Sequence, residues 1–121
     1  MAKIEGIEEY FEYQISRCNR SDHSNVPIPY PNRANIAHIL PKRKYKSVAT
    51  HKENVMFLTL EEHTKFDNWM DSAQFDKMID YFSDRFFIIL EQRLAQLLEV
   101  VEEWGSNARN LKKLIELWKE K

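Results

Sequence analysis

A chain of 121 residues suits one small domain, and 43% apolar with 31% charged residues is the balance of a globular protein, not of a membrane-spanning or disordered one. The net charge of −1 selects no class of partner, and the single cysteine, Cys18, excludes an intramolecular disulfide and the usual cysteine-based structural zinc site. No apolar run approaches the ~20 residues that cross a bilayer, and Met1 to Glu12 lacks a signal-peptide core, so a reduced cytoplasmic (intracellular) setting without membrane contact is expected.

In chain order, Ile4, Ile7, Phe11 and Ile15 recur every three to four residues, with Glu8, Glu9 and Glu12 on the other side. This spacing predicts an amphipathic helix over 4–17. Residues 18–34 are rich in Asn, Ser, Asp and Pro and predict a loop, held extended in part by Pro27, Pro29 and Pro31. Residues 35–40 (NIAHIL) read as a short strand stopped by Pro41. Residues 42–54 form a polar, basic connection, and 55–58 (VMFL) a second strand. Thr59-Leu60-Glu61-Glu62 is a capping box, which predicts a helix running through Trp69.

Beyond Asp71 the pattern is helical. Phe75, Met78, Ile79 and Phe82 make one apolar stripe; Phe86, Leu90, Leu94, Leu97 and Val101 belong to a second. Gly105-Ser106-Asn107 is expected to break it before a last helix carrying Leu111, Leu114, Ile115 and Trp118. The expected fold class is therefore α+β and mostly helical, in a single domain over 1–121. A small ββα unit over about 33–70 is braced by an N-terminal helix and by a helical extension, 72–120, of two or three helices. The breadth of the C-terminal stripe makes a homodimer through these helices an expectation.

Charge is unevenly spread. Between Arg33 and Lys65 seven basic residues face three acidic ones, a local +4, which leaves −5 for the remainder of a chain of net −1. Arg33, Lys42, Arg43, Lys44, Lys46 and Lys52 are the candidate contacts for a polyanion, of which duplex DNA is the expected one.

Three polar residues fall in order across the ββα stretch: His38 in the first strand, Asn54 just before the second, and His63 one turn into the capped helix. Asp67 follows His63 by four residues, the spacing that lets two side chains on one helical face share an ion. The stretches Ala37-His38-Ile39-Leu40-Pro41, Glu53-Asn54-Val55-Met56-Phe57-Leu58 and Glu62-His63-Thr64-Lys65-Phe66-Asp67 resemble the HNH (ββα-metal) nuclease family, which includes phage and mobile-element enzymes. The likeness covers about residues 33 to 70 and includes the nine-residue step from Asn54 to His63.

The resemblance implies a DNA endonuclease. His38 would be the general base that activates water, Asn54 would hold the loop and orient His38, and His63 with Asp67 would ligate one divalent metal ion (Mg, Mn, Ni or Zn). Two positions depart from the family. Ala37 stands where many members carry a metal ligand, and Asn35, two residues back, is the expected substitute. Thr59 and Glu62 stand near the final His where many members carry zinc-binding Cys pairs. Two other readings compete: a catalytically degenerate HNH-type scaffold that binds nucleic acid or serves assembly, and a helical oligomerisation protein with incidental histidines. Tyr45 is read either as a base-stacking ring or as packing, His51 as a solvated loop histidine, Trp69 as core, and the Cys18–His23 pair as chance.

Overall fold

A computed structural model describes residues 4 to 121; the first three residues of the N-terminal stretch read above lie outside them. The chain runs as α1 (Ile7–Arg17), β1 (Ile36–Ala37), β2 (Met56–Phe57), α2 (Leu60–Asp71), α3 (Phe75–Tyr81), α4 (Asp84–Val100) and α5 (Gly105–Lys119). The architecture is mostly helical with one small antiparallel sheet, as expected of an α+β chain. Among the described residues no helix is long and apolar enough to cross a membrane.

α1 begins at Ile7, later than the spacing suggests, because Gly6 adopts the left-handed conformation (φ +78°) and ends backward propagation of the helix. It buries Ile7, Tyr10, Phe11 and Gln14. The strands pair with Ile36 opposite Phe57 and Ala37 opposite Met56. Alternation then sends the two pairs to opposite sides. Ile36 and Phe57 pack with α1 in a smaller cluster, while Ala37 and Met56 enter the main core with Phe86, Phe87 and Leu90 of α4. The two-residue sheet is thus a partition between two apolar clusters, and the residue after Ala37, His38, emerges on the α1 side beside Tyr10 and Phe11.

The polar segment 18–34 is less solvated than its composition suggests. Asp22 is buried and imitates a strand: its N–H donates to the Phe57 carbonyl (2.7 Å), and its carboxylate accepts from the Phe57 N–H (2.8 Å). Arg93 of α4 donates to the same carboxylate and to the Val55 carbonyl, each at 2.8 Å. Ser21 and Ser24 donate to the buried Glu62 carboxylate at 2.5 and 2.6 Å. Burial opposes the Glu62 charge, but these hydroxyls and the Thr59 N–H outweigh it and hold its pKa below the usual carboxylate value.

The expected capping box of α2 is present in both directions. Glu62 therefore serves the cap and the loop together. His23 accepts from the Ser83 N–H at 2.9 Å, ahead of α4, while Cys18 is buried in the smaller cluster, so the two form no metal pair.

At the C-terminal end the helix break falls at 101–104, and Gly105-Ser106-Asn107 opens α5 instead of interrupting it. Gly105 still marks the turn. Its φ is +65°, and a β-carbon there would stand 2.9 Å from the Tyr45 hydroxyl. That hydroxyl donates to the Trp104 carbonyl and accepts from the Ala108 N–H (3.2 Å), so Tyr45 anchors the basic loop to α5 and is unavailable for stacking on a base. Trp69 packs against the main core, as expected.

Asp22 joins the loop, β2 and α4. Asp22→Ala leaves the Phe57 N–H and the Arg93 guanidinium without their shared acceptor, and is expected to cost about 3 kcal/mol in urea unfolding. A loss below about 1 kcal/mol would show that the strap is not structurally important.

Candidate active site

Asn54 is fully buried and governs the loop between the strands. Its Oδ1 accepts from the Leu40 N–H (2.8 Å), and its Nδ2 donates to the carbonyls of Leu40 (3.0 Å) and Val48 (3.1 Å). The side chain thus ties the backbone of Leu40 to that of Val48 across the loop. Its influence on His38 is indirect: it fixes Leu40, two residues after His38, and Val48, one residue before Ala49. His38 Nε2 lies 3.0 Å from the Ala49 carbonyl. A carbonyl can only accept, so Nε2 carries the proton and Nδ1 keeps its lone pair, the arrangement a proton acceptor needs.

His38 stacks on Tyr10 (4.8 Å between ring centres, 30° between planes) and meets Phe11 edge-on (5.8 Å, 79°). Burial among these rings pushes its pKa down to about 4, against a smaller upward pull from the Ala49 hydrogen bond. At neutral pH the ring is uncharged, with its Nδ1 lone pair unprotonated.

His63 is treated oppositely. Its Nδ1 donates to the Ala34 carbonyl (2.7 Å), and its Nε2 lies 3.1 Å from an Asp67 oxygen. The Asp67 hydrogen bond raises its pKa, outweighing burial, and the Ala34 carbonyl adds to the rise. One ring nitrogen is thus fixed by backbone while the other faces a carboxylate, a donor set that suits a divalent ion in place of the shared proton. Among the described residues no third His, Cys, Asp or Glu joins these two in a ready metal cluster.

His38, His63 and Asp67 line one open groove of about 690 Å³ together with Arg33, Lys42, Arg43 and Lys44. Arg33 and Lys42 both lie over the Phe11 ring, at 4.5 and 5.1 Å from its centre, and Arg33 also pairs with Glu8. Two of the expected basic contacts are elsewhere. Lys46 borders a separate concavity that also holds Glu102 and Glu103, and Lys52 is exposed outside the groove, with its carbonyl taken by Gln14.

The expectation for Asn35 needs correction. Its Oδ1 accepts from the Asn32 N–H (3.0 Å) and its Nδ2 donates to the Leu58 carbonyl (3.0 Å), so the amide is committed to a turn and to the sheet, and it does not line the groove. Ala37 is fully buried in the main core. The strand residue sharing His38's groove is Ile36, whose side chain offers no ligand.

His51 is half-buried, and its Nδ1 accepts from the Glu53 N–H (3.0 Å), a turn-stabilising role in place of a solvated one. Asp71 is a groove residue that sequence reasoning passed over. The signal was available, because Asp71 follows Asp67 by the same four-residue step that separates Asp67 from His63.

Comparison of the chain with family models, curated proteins and solved structures gives no match. Its own geometry therefore carries the functional reading.

The depressed His38 pKa has a definite consequence. An unfolded His titrates near 6.5, so between pH 6.5 and about 4 the unfolded chain binds a proton that the folded chain refuses. The contribution to stability is unaffected above pH 6.5 and falls with acid by up to about 3 kcal/mol. In a ring-proton NMR titration of the metal-free protein, His38 is expected to remain neutral at pH 5.5, where an ordinary histidine is mostly protonated. A midpoint at or above 6 would contradict the buried, stacked environment.

Proposed function

We propose that the chain is a metal-dependent endonuclease of the HNH type that hydrolyses DNA phosphodiester bonds. The observation that carries this reading is the convergence of a neutral His38 with a free Nδ1 and of the His63–Asp67 pair on one groove lined by four cations. The order of the elements, strand, loop, strand and capped helix, supports the same reading.

In the proposed reaction, Nδ1 of His38 takes a proton from water as the water oxygen bonds to phosphorus. The bond from phosphorus to the leaving sugar oxygen breaks, and that oxygen is protonated from solvent. His63 Nε2 and the Asp67 carboxylate would hold a divalent ion, and the chemistry it would supply there is stabilisation of negative charge on the phosphate and the departing oxygen. The Ala34 carbonyl keeps the His63 ring in the orientation that offers Nε2. Arg33, Lys42, Arg43 and Lys44 neutralise neighbouring phosphates, which gives salt-dependent binding with little sequence preference.

A second reading, a DNA-binding scaffold without cleavage, is favoured by one observation. His63 and Asp67 are only two ligands, with Asn35 otherwise engaged, so water and substrate phosphate would have to complete the coordination of an ion.

Plasmid nicking across Mg, Mn, Ni and Zn separates the readings. The wild type is expected to nick with at least one ion. His38→Ala is expected to lose about 100-fold or more in rate while still binding DNA, and His63→Ala to lose the response to metal. Salt-dependent binding without nicking in any ion would favour the scaffold. Full activity in His38→Ala would remove the assigned base.

A further inference from the structure

The strand, loop and helix that carry the candidate site do not hold His38 alone. A general base must present its lone pair in one direction, and the hydrogen bond to the Ala49 carbonyl fixes only one ring nitrogen. It leaves the ring free to swing about that bond. Two consecutive residues of α1, an element outside the ββα unit, remove this freedom. Tyr10 covers one face of the imidazole, and Phe11 meets it edge-on. The Tyr10 and Phe11 rings also pack on each other, edge to face at 5.3 Å.

We propose that Tyr10, supported by Phe11, is a positioning residue for His38, so that α1 is an integral part of the catalytic site. This rests on the reading of His38 as general base. Tyr10 is itself held firmly: it is 4% exposed, and its hydroxyl donates to the backbone carbonyl of Asn54 at 2.5 Å. One turn later, Gln14 donates to the Lys52 carbonyl at 2.9 Å. Helix α1 is therefore docked on the same backbone, 52–54, that carries the loop-clamping asparagine. A shift of α1 would move the ring on His38 and the peptide of Asn54 together.

The choice of ring over aliphatic wall has chemical content. His38 is neutral in the resting protein and becomes an imidazolium when it accepts the proton from water. Burial disfavours that charged form, and the aromatic face of Tyr10 offsets part of the penalty, whereas a leucine would only exclude water. Lys42, His63 and Asp67 are the charged groups that also act on His38, and none is altered by a change at Tyr10.

The test compares the full chain with Tyr10→Phe and Tyr10→Leu. In the metal-free wild type, NMR is expected to show cross-peaks between the two rings and an upfield ring-current shift of the His38 protons. Tyr10→Phe keeps both, and Tyr10→Leu loses the shift. In plasmid nicking with the activating ion, Tyr10→Leu is expected to lower kcat about tenfold or more with KM within about twofold, and Tyr10→Phe to stay near wild type in both. Wild-type kcat in Tyr10→Leu overturns the proposal, as does a loss in Tyr10→Phe equal to that in Tyr10→Leu, which would assign the effect to the hydroxyl. If Tyr10→Leu does not fold, the wild-type ring shift and the Tyr10→Phe kinetics still decide: an absent shift, or an impaired Tyr10→Phe, overturns it. A wild type that shows the ring contacts but nicks with no ion sinks the endonuclease reading, whereas nicking with unchanged kcat in Tyr10→Leu sinks this proposal alone.

Discussion

The side-chain amide of Asn54 is the constraint on which the candidate site depends. A loop of eighteen residues separates the two short strands, and such a loop has many conformations to lose. Three hydrogen bonds from one buried amide select among them by tying Leu40 and Val48 together. Each of those backbone groups lies in an apolar interior, where an unpaired N–H or C=O is costly. Through Val48 the amide sets the Ala49 carbonyl, through that carbonyl the tautomer of His38, and through its own backbone the anchor for Tyr10. An aspartate would keep the acceptor but lose both donors, which is a physical reason for asparagine at this position.

The two histidines of the groove illustrate how surroundings divide roles between identical groups. His38 is surrounded by rings and loses its affinity for protons. His63, half-buried, sits against Asp67 and gains affinity. The two environments thus push the proton affinities of the two rings in opposite directions. The sheet is only two residue pairs long, yet its alternation sends Ala37 into the main core and turns His38 to the groove.

Much of this was legible in the sequence where a local rule applies. The capping box at Thr59 and Glu62 and the helical stripes follow from periodicity and turn chemistry and hold in the structure, while the two expected strands, 35–40 and 55–58, shorten to Ile36–Ala37 and Met56–Phe57 and leave His38 just past the first. The pairing of His63 with Asp67 also follows, from their four-residue spacing, and their convergence with His38 is what the family resemblance implies. What was not legible depends on contacts distant in sequence. Segment 18–34 reads as a solvated loop, but Asp22 and Ser21 find partners 35 to 71 residues away and become buried. Asn35 reads as a free amide because nothing local reveals that the distant Leu58 carbonyl claims it. Phe11 reads as part of the apolar stripe of the first helix and nothing local singles out Tyr10, since only the fold brings the two rings against His38. Lys46 and Lys52 belong to the same basic run as Lys42, and the turn of the chain takes them out of the groove.

Both the mechanism and the division of roles require a cation at one place. Diffraction from crystals soaked in manganese, recorded at a wavelength where manganese scatters anomalously, tests this most directly. The account predicts one strong anomalous peak within bonding distance of His63 Nε2 and an Asp67 oxygen, in the groove that holds His38. No peak at that pair, with manganese bound elsewhere or not at all, would contradict it.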